Sequence, residues 1–240
     1  MKRLLILMLL LLSCVFPLRA QESLTQAEEL YAQGKYAQAL TMYEQILKNH
    51  PNDPYVYYNI GNCYFKMGSK GLAAANYYRA FRKAPRDGDI RHNLELALSS
   101  SGEKWIPTGV PHVLHRAFFG LSLAELTGLV SVLFWACCLL ACVWLLKRRG
   151  AKWFVAVFVV WIVTLGWWYV RTQHEQEPLA VVASPVAEIR SSPNTQAPAN
   201  ANVAQGHLLL IEDSKDAWYK VVVKSQGLSG WVEKNAVEKI

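Results

Sequence analysis

The spacing of apolar and polar residues changes several times along the chain. Residues 1–20 open with Lys2 and Arg3 and continue as an apolar run too short to span a bilayer comfortably. Between residues 21 and 105, apolar positions recur every three or four residues, the period of amphipathic helices. Charge then disappears from residues 126–146 and again from 153–170. From 178 to 240, short runs such as LAVVAS, VAEIR, HLLLIED, AWYKVVV and LSGWV are separated by Gly, Pro and Asn, as strands and turns are. A rise of about 1.5 Å per residue lets each uncharged run cross roughly 30 Å of hydrocarbon, the second with little to spare. Only KRRGAK, residues 147–152, separates them, so the two helices must form an antiparallel hairpin. The pattern predicts a multidomain membrane protein with an all-α N-terminal region, a two-helix transmembrane hairpin and a small all-β barrel. Residues 106–125 and 171–177 are expected to be linkers.

Charge gives the hairpin a direction. The formal net charge is +7 and 52% of the residues are apolar. Lys2, Arg3 and Arg19 contribute +3 in the leader, Lys147, Arg148, Arg149 and Lys152 contribute +4 in the turn, and the remainder carries 18 basic and 18 acidic residues. No basic excess is left for a nucleic-acid-binding face. The positive-inside rule places the 147–152 turn in the cytoplasm, with Trp167, Trp168, Tyr169 and Arg171 at the opposite interface. Ala20 before Gln21 suits cleavage of a secretory signal peptide spanning 1–20, which exports the following region independently. A second reading, a lipidated Cys14, meets a poor fit at Leu12 and at Val15–Phe16. The expected location is a bacterial inner membrane with both folded domains in the periplasm.

An internal repeat lies ahead of the membrane segments. GKYAQALTMYEQILKNHPNDP and GSKGLAAANYYRAFRKAPRDG align at a 34-residue offset, matching Gly34 with Gly68, Ala39 with Ala73, Tyr43 with Tyr77 and Pro51 with Pro85. The period, and YYNIGNCYFKMG between the two, resemble the tetratricopeptide repeat. One full repeat, 54–87, is expected between a degenerate unit starting near Ser23 and a lone closing helix, DIRHNLELALSS. Gly61 is expected to let the paired helices approach. The resemblance implies a protein-binding groove along the first helix of each unit, here Tyr55, Tyr58, Asn59, Asn62 and Phe65, although Tyr58 and Phe65 also fit a core. Some such domains clamp a C-terminal carboxylate. Asn59 matches one clamp position, but Leu24, Glu28, His92 and Leu96 stand where other polar or basic clamp residues are needed, so that activity is not carried over. Arg79, Arg82, Lys83, Arg86 and Arg91 form a basic ridge, which is more commonly a solvated helix face than a site.

The C-terminal VAEIRSSPNTQAP, Gly206, WYKV and GLSGWV are similar in order and spacing to bacterial SH3 modules. Trp218 and Trp231 are expected in the core of that barrel. It lacks the acidic, tyrosine-rich loop that holds polyproline ligands.

Leader, tetratricopeptide stack, two spans and SH3-like module, with RDGDIRHNLELA closing the repeats, together resemble BatE-type proteins of bacterial aerotolerance (Bat) operons. The resemblance implies a non-catalytic scaffold working with von Willebrand A-type Bat proteins and a cytoplasmic MoxR-type ATPase. The alternative is a peptidoglycan-binding envelope module that recruits a wall enzyme. An enzyme is not expected, and neither is a cofactor. Cys14, Cys137, Cys138 and Cys142 lie in apolar segments, which leaves Cys63 as a small buried residue without a disulfide partner. His207 has no cysteine in its domain, and Cys63 and His92 on neighbouring repeat helices have a packing explanation. His50, His112, His115 and His174 lack metal-ligand spacing.

Overall fold

The computed structural model describes residues 23–99, 101–103 and 110–240, which divide into two compact units. The leader and Cys14 lie outside the described residues.

The first unit combines the N-terminal helices with the C-terminal sheet. Its helices are α1 (residues 23–32), α2 (Tyr36–Asn49), α3 (Pro54–Lys66), α4 (Lys70–Lys83, as far as Phe81) and α5 (Gly88–Ser99). Asp53 starts α3 by accepting the backbone N–H of Tyr55 (2.8 Å) and Val56 (3.4 Å), with Pro54 in the first turn, where a missing N–H costs nothing. Asp87 does the same for α5 through Asp89 and Ile90. Gly68 turns the chain between α3 and α4 at φ +81°, a left-handed conformation that glycine adopts without steric cost. Ala27, Ala39, Tyr43, Ile46, Val56, Ile60 and Cys63 close one core between α1, α2 and α3. At Gly61 a Cβ would stand 2.6 Å from the Tyr77 ring, so the α3–α4 contact requires glycine there.

The sheet has seven antiparallel strands in the order β3-β2-β6-β5-β4-β1-β7. These are β1 (Leu179–Val182), β2 (Val186–Arg190), β3 (Ala199–Ala204), β4 (Leu208–Lys215), β5 (Trp218–Val223), β6 (Leu228–Glu233) and β7 (Val237–Lys239). Ala180, Ile189, Val203, Leu209, Val221 and Val232 fill its centre. The strands β3 and β7 escape a propensity reading. ANANVA is mostly alanine and asparagine and buries only Val203 as it pairs with β2, and β7 is three residues held by β1. Trp218 is buried as expected, whereas Trp231 is half-buried, opposite Arg190 and Lys220.

Within this unit the sheet packs directly on the repeat helices. A Cβ at Gly71 of α4 would meet the carbonyl oxygen of Val182 at 2.0 Å. Arg79 of α4 donates to the Glu238 carboxylate and to the Lys239 carbonyl.

The second unit comprises Arg82–Arg86 and the region of the two long apolar helices up to Pro178, with α6 (His112–Phe118), α7 (Leu123–Lys147) and α8 (Ala151–Gln176). Both α7 and α8 are long and apolar enough to cross a membrane, and both extend beyond their uncharged runs. Ser122 and Glu125 form a reciprocal capping box that starts α7. Arg148 at φ 53° and Gly150 at φ 91° confine the break between the helices to three residues. The segment 171–177, expected as a linker, is helical to Gln176, held by Arg171 pairing with Glu175 one turn on at 2.9 Å. The 106–125 linker likewise contains α6. Across the hairpin, Trp161 Nε1 donates to the Val130 carbonyl (3.2 Å) and Trp168 Nε1 to Thr127 Oγ1 (2.9 Å). On α7, Cys137 is buried, Cys138 half-buried and Cys142 exposed.

Candidate functional site

A groove of about 270 Å³ opens between α1, α3 and α5. It brings together three of the five sequence-derived residues, Tyr58, Asn62 and Phe65. Tyr55 is 58% exposed on α3 but does not line the groove, and Asn59 is half-buried behind it, accepting from Asn62 Nδ2 at 3.5 Å. The remaining walls are Tyr31, Lys66, Tyr77, Asn93 and Leu96. Of these, Asn93 and Leu96 had a legible signal, a spacing of one helical turn on the closing helix. Tyr77 had none, because it belongs to the second helix of the repeat and reaches the groove from α4, its hydroxyl on Asn62.

The polar groups of the groove are held in one network. Asn62 Oδ1 accepts from the Tyr77 hydroxyl (2.7 Å) and from Asn93 Nδ2 (3.3 Å), and Asn93 Nδ2 also reaches the Tyr58 hydroxyl (3.0 Å). Burial, reinforced by nearby Tyr58, pushes the Tyr77 hydroxyl well above the usual tyrosine range, so it stays a donor at physiological pH. The rings of Tyr58 and Tyr77 lie 5.8 Å apart. The result is a pre-arranged aromatic and amide surface with one exposed cation, Lys66, on its lining. Such a surface suits the alternating donors and acceptors of a polypeptide backbone together with an apolar side chain.

The basic ridge divides between the two units. Arg79 is engaged by Glu238 and Lys239 in the first. In the second, Arg82 donates to the Glu175 backbone carbonyl at 3.0 Å and pairs with its carboxylate at 3.4 Å, and Arg86 pairs with Glu125. Burial and the adjacent Arg82 push the Lys83 ammonium below the ordinary lysine value. Arg91 is half-buried on α5. Arg79, Arg82 and Arg86 thus have carboxylate partners within the chain, and Arg86 remains exposed.

One further polar cluster is buried. Glu103 Oε1 accepts from Ser225 Oγ at 2.6 Å and lies 2.8 Å from His207 Nδ1. A serine, a histidine and a glutamate meet here, with the serine hydroxyl and the imidazole both bonded to the one carboxylate oxygen, an order of contacts unlike a serine–histidine–acid triad. Cys63 is fully buried, and burial pushes its thiol up to about 11. Among the described residues, no group of three or more His, Cys, Asp or Glu side chains is arranged to hold a metal.

Comparison with known proteins agrees with this architecture. Residues 24–88 match the tetratricopeptide repeat family model, and residues 183–239 match the bacterial SH3 domain model. The chain is 25% identical over 138 residues to human Tetratricopeptide repeat protein 16, covering 52% of this chain and 16% of that protein. It is 30% identical over 79 residues to mouse Protein arginine N-methyltransferase 9, covering 33% and 9%. Among solved structures, the Yersinia enterocolitica type III secretion chaperone SycD with a peptide of the translocator YopD is 19% identical, covering 58% of this chain and 92% of that one, with a TM-score of 0.33. The TPR2B domain of yeast Sti1 in its Hsp70 complex is 16% identical, covering 58% and 93%, also at 0.33. The chain therefore combines a tetratricopeptide stack, two apolar helices and a bacterial SH3 domain, modules that point to protein binding.

Proposed function

We propose that this chain is a non-catalytic scaffold of the bacterial inner membrane that presents its tetratricopeptide and SH3-like modules to the periplasm. The observation that carries the reading is the open groove, whose amide and hydroxyl groups are pre-oriented by the Asn62–Tyr77–Asn93 network. Preorganised polar groups lower the ordering cost of binding a flexible segment. The order of modules further supports membership of a Bat/MoxR-type aerotolerance assembly, with von Willebrand A-type Bat proteins as partners.

Affinity capture with the detergent-solubilised full chain tests this reading. Wild type is expected to retain membrane proteins with von Willebrand A domains, and Phe65→Ala with Lys66→Glu is expected to reduce capture at least tenfold without changing the melting temperature. Undiminished capture by the folded double variant excludes the groove. Retention on purified sacculi in place of Bat-like proteins favours the peptidoglycan-binding alternative.

A further inference from the structure

We infer that α6 is an interfacial anchor: it lies in the headgroup layer at the Trp167–Arg171 end of the hairpin, with Val110, Val113 and Leu114 in the acyl boundary. This rests on the reading that α7 and α8 span the membrane. The seven residues of α6 include none that is buried, and Val113 is 77%, Leu114 62% and Val110 40% exposed. Three large apolar side chains beside a polar turn are an unfavourable surface for water and a favourable one for lipid.

The other end of α6 sets its depth. Trp167 Nε1 donates to the Phe118 carbonyl at 3.3 Å, and the Arg171 guanidinium lies 5.5 Å from the Phe118 ring and 4.6 Å from the Phe119 ring. The Phe119 ring also meets His174 at 5.3 Å. Trp167 belongs to the uncharged run and Arg171 is the first charge beyond it, one helical turn or about 6 Å further along α8. The C-terminal end of α6 is thus tied to the level at which hydrocarbon gives way to headgroups. From there, apolar residues exposed on a helix one and a half to two turns long cannot leave the interface by more than their own length. Arg116 is the charged residue of α6, no acid occurs between Val110 and Ser122, and the carboxylates at this end, Glu125 and Glu175, are paired with Arg86 and with Arg82 and Arg171, so their repulsion of anionic headgroups is offset. The exposed apolar surfaces of α7 and α8, which the same unit contains, make lipid the continuous neighbour.

The test uses the full chain in phosphatidylcholine–phosphatidylglycerol vesicles. Cys14, Cys137, Cys138 and Cys142 are replaced by Ser or Ala, buried Cys63 is kept, and a nitroxide is attached at Leu114→Cys, Leu139→Cys or Ser192→Cys. Accessibility to oxygen against a water-soluble nickel chelate reports depth. The label at 114 is expected between the other two, oxygen-accessible and chelate-protected relative to 192 but shallower than 139. A label at 114 matching 192 while 139 remains in lipid overturns the anchor and leaves the spans intact. An aqueous label at 139 overturns the spanning reading, and the anchor with it. A label at 114 shielded from both reagents means protein covers α6, which also overturns the proposal.

Discussion

Glu103 and His207 are 104 residues apart in the chain, yet His207 Nδ1 lies 2.8 Å from Glu103 Oε1, with both side chains buried. The whole hairpin intervenes between them in sequence, so this contact, with Ser225 on the same oxygen, links the helical and sheet parts of the first unit.

Removing Glu103 therefore takes the shared acceptor from both His207 and Ser225, whereas removing His207 leaves Glu103 with Ser225 alone. Glu103→Ala is expected to cost about 1–3 kcal/mol in chemical unfolding of the solubilised chain. The double variant with His207→Ala is expected to lose less than the two single losses combined, a coupling of about 0.5–3 kcal/mol. Strict additivity in the cycle would show that the contact contributes nothing.

Two glycines provide a controlled comparison for the same packing. Gly71→Ala drives a Cβ to 2.0 Å from the Val182 carbonyl, a backbone atom that yields only if β1 moves. A loss of about 1–3 kcal/mol is expected, with faster proteolytic release of the 178–240 module. Gly88→Ala, at a site with no atom within 4 Å and ordinary backbone, is expected to be neutral or slightly stabilising. Equal melting temperatures for the two variants would contradict the packing of β1 on α4.

How far these features were legible follows from what kind of signal each one leaves. Gly61 and the 34-residue period are legible because the repeat pattern carries them, and each has a physical reason: a 2.6 Å clash with Tyr77 on the paired helix, and a recurring turn. The two long helices are legible because residues 126–146 and 153–170 carry no charge, with only six residues between them. The groove is legible only along α3, since its opposite wall is built from α1 and α5, whose register against α3 is set by packing. Tyr55 illustrates the cost: helical spacing allows it the binding row, but α3 turns it outward past the groove. The partners of Arg79, Arg82 and Arg86 lie 39 to 159 residues away, beyond the reach of any spacing rule.

Cys63 should be chemically silent in the folded chain. Burial moves its thiol from 9.0 to about 11, so at pH 8 the reactive thiolate is about a hundredfold scarcer than in an ordinary cysteine, and the sulfur is also shielded. With Cys14, Cys137, Cys138 and Cys142 replaced, maleimide labelling at pH 8 is expected to follow global unfolding in urea. Because the folded value is raised, labelling of the native state should increase only as pH climbs toward 11. Rapid labelling at neutral pH would mean that α3 opens locally or that the thiol is exposed.

The proposed orientation of the hairpin rests on a short stretch. The break in helix spans only Arg148, Arg149 and Gly150, flanked by Lys147 and Lys152, so all four cations sit at one end of both apolar helices. Moving that end across a bilayer would carry every one of them through hydrocarbon, at about 2.5–3.5 kcal/mol each on insertion scales. The carboxylates that flank the spans, Glu125 and Glu175, are at the other end, paired with Arg86 and with Arg82 and Arg171. A reporter active only in the cytoplasm is expected to work when inserted at Gly150, and one active only after export is expected to work when fused after Ile240. Replacing Lys147, Arg148, Arg149 and Lys152 together by Gln should make the Gly150 reporter signal mixed, since the remaining orientation signals then lie outside the turn. Export of the Gly150 reporter in the unaltered chain would reverse the hairpin and remove the grounds for placing either folded module in the periplasm.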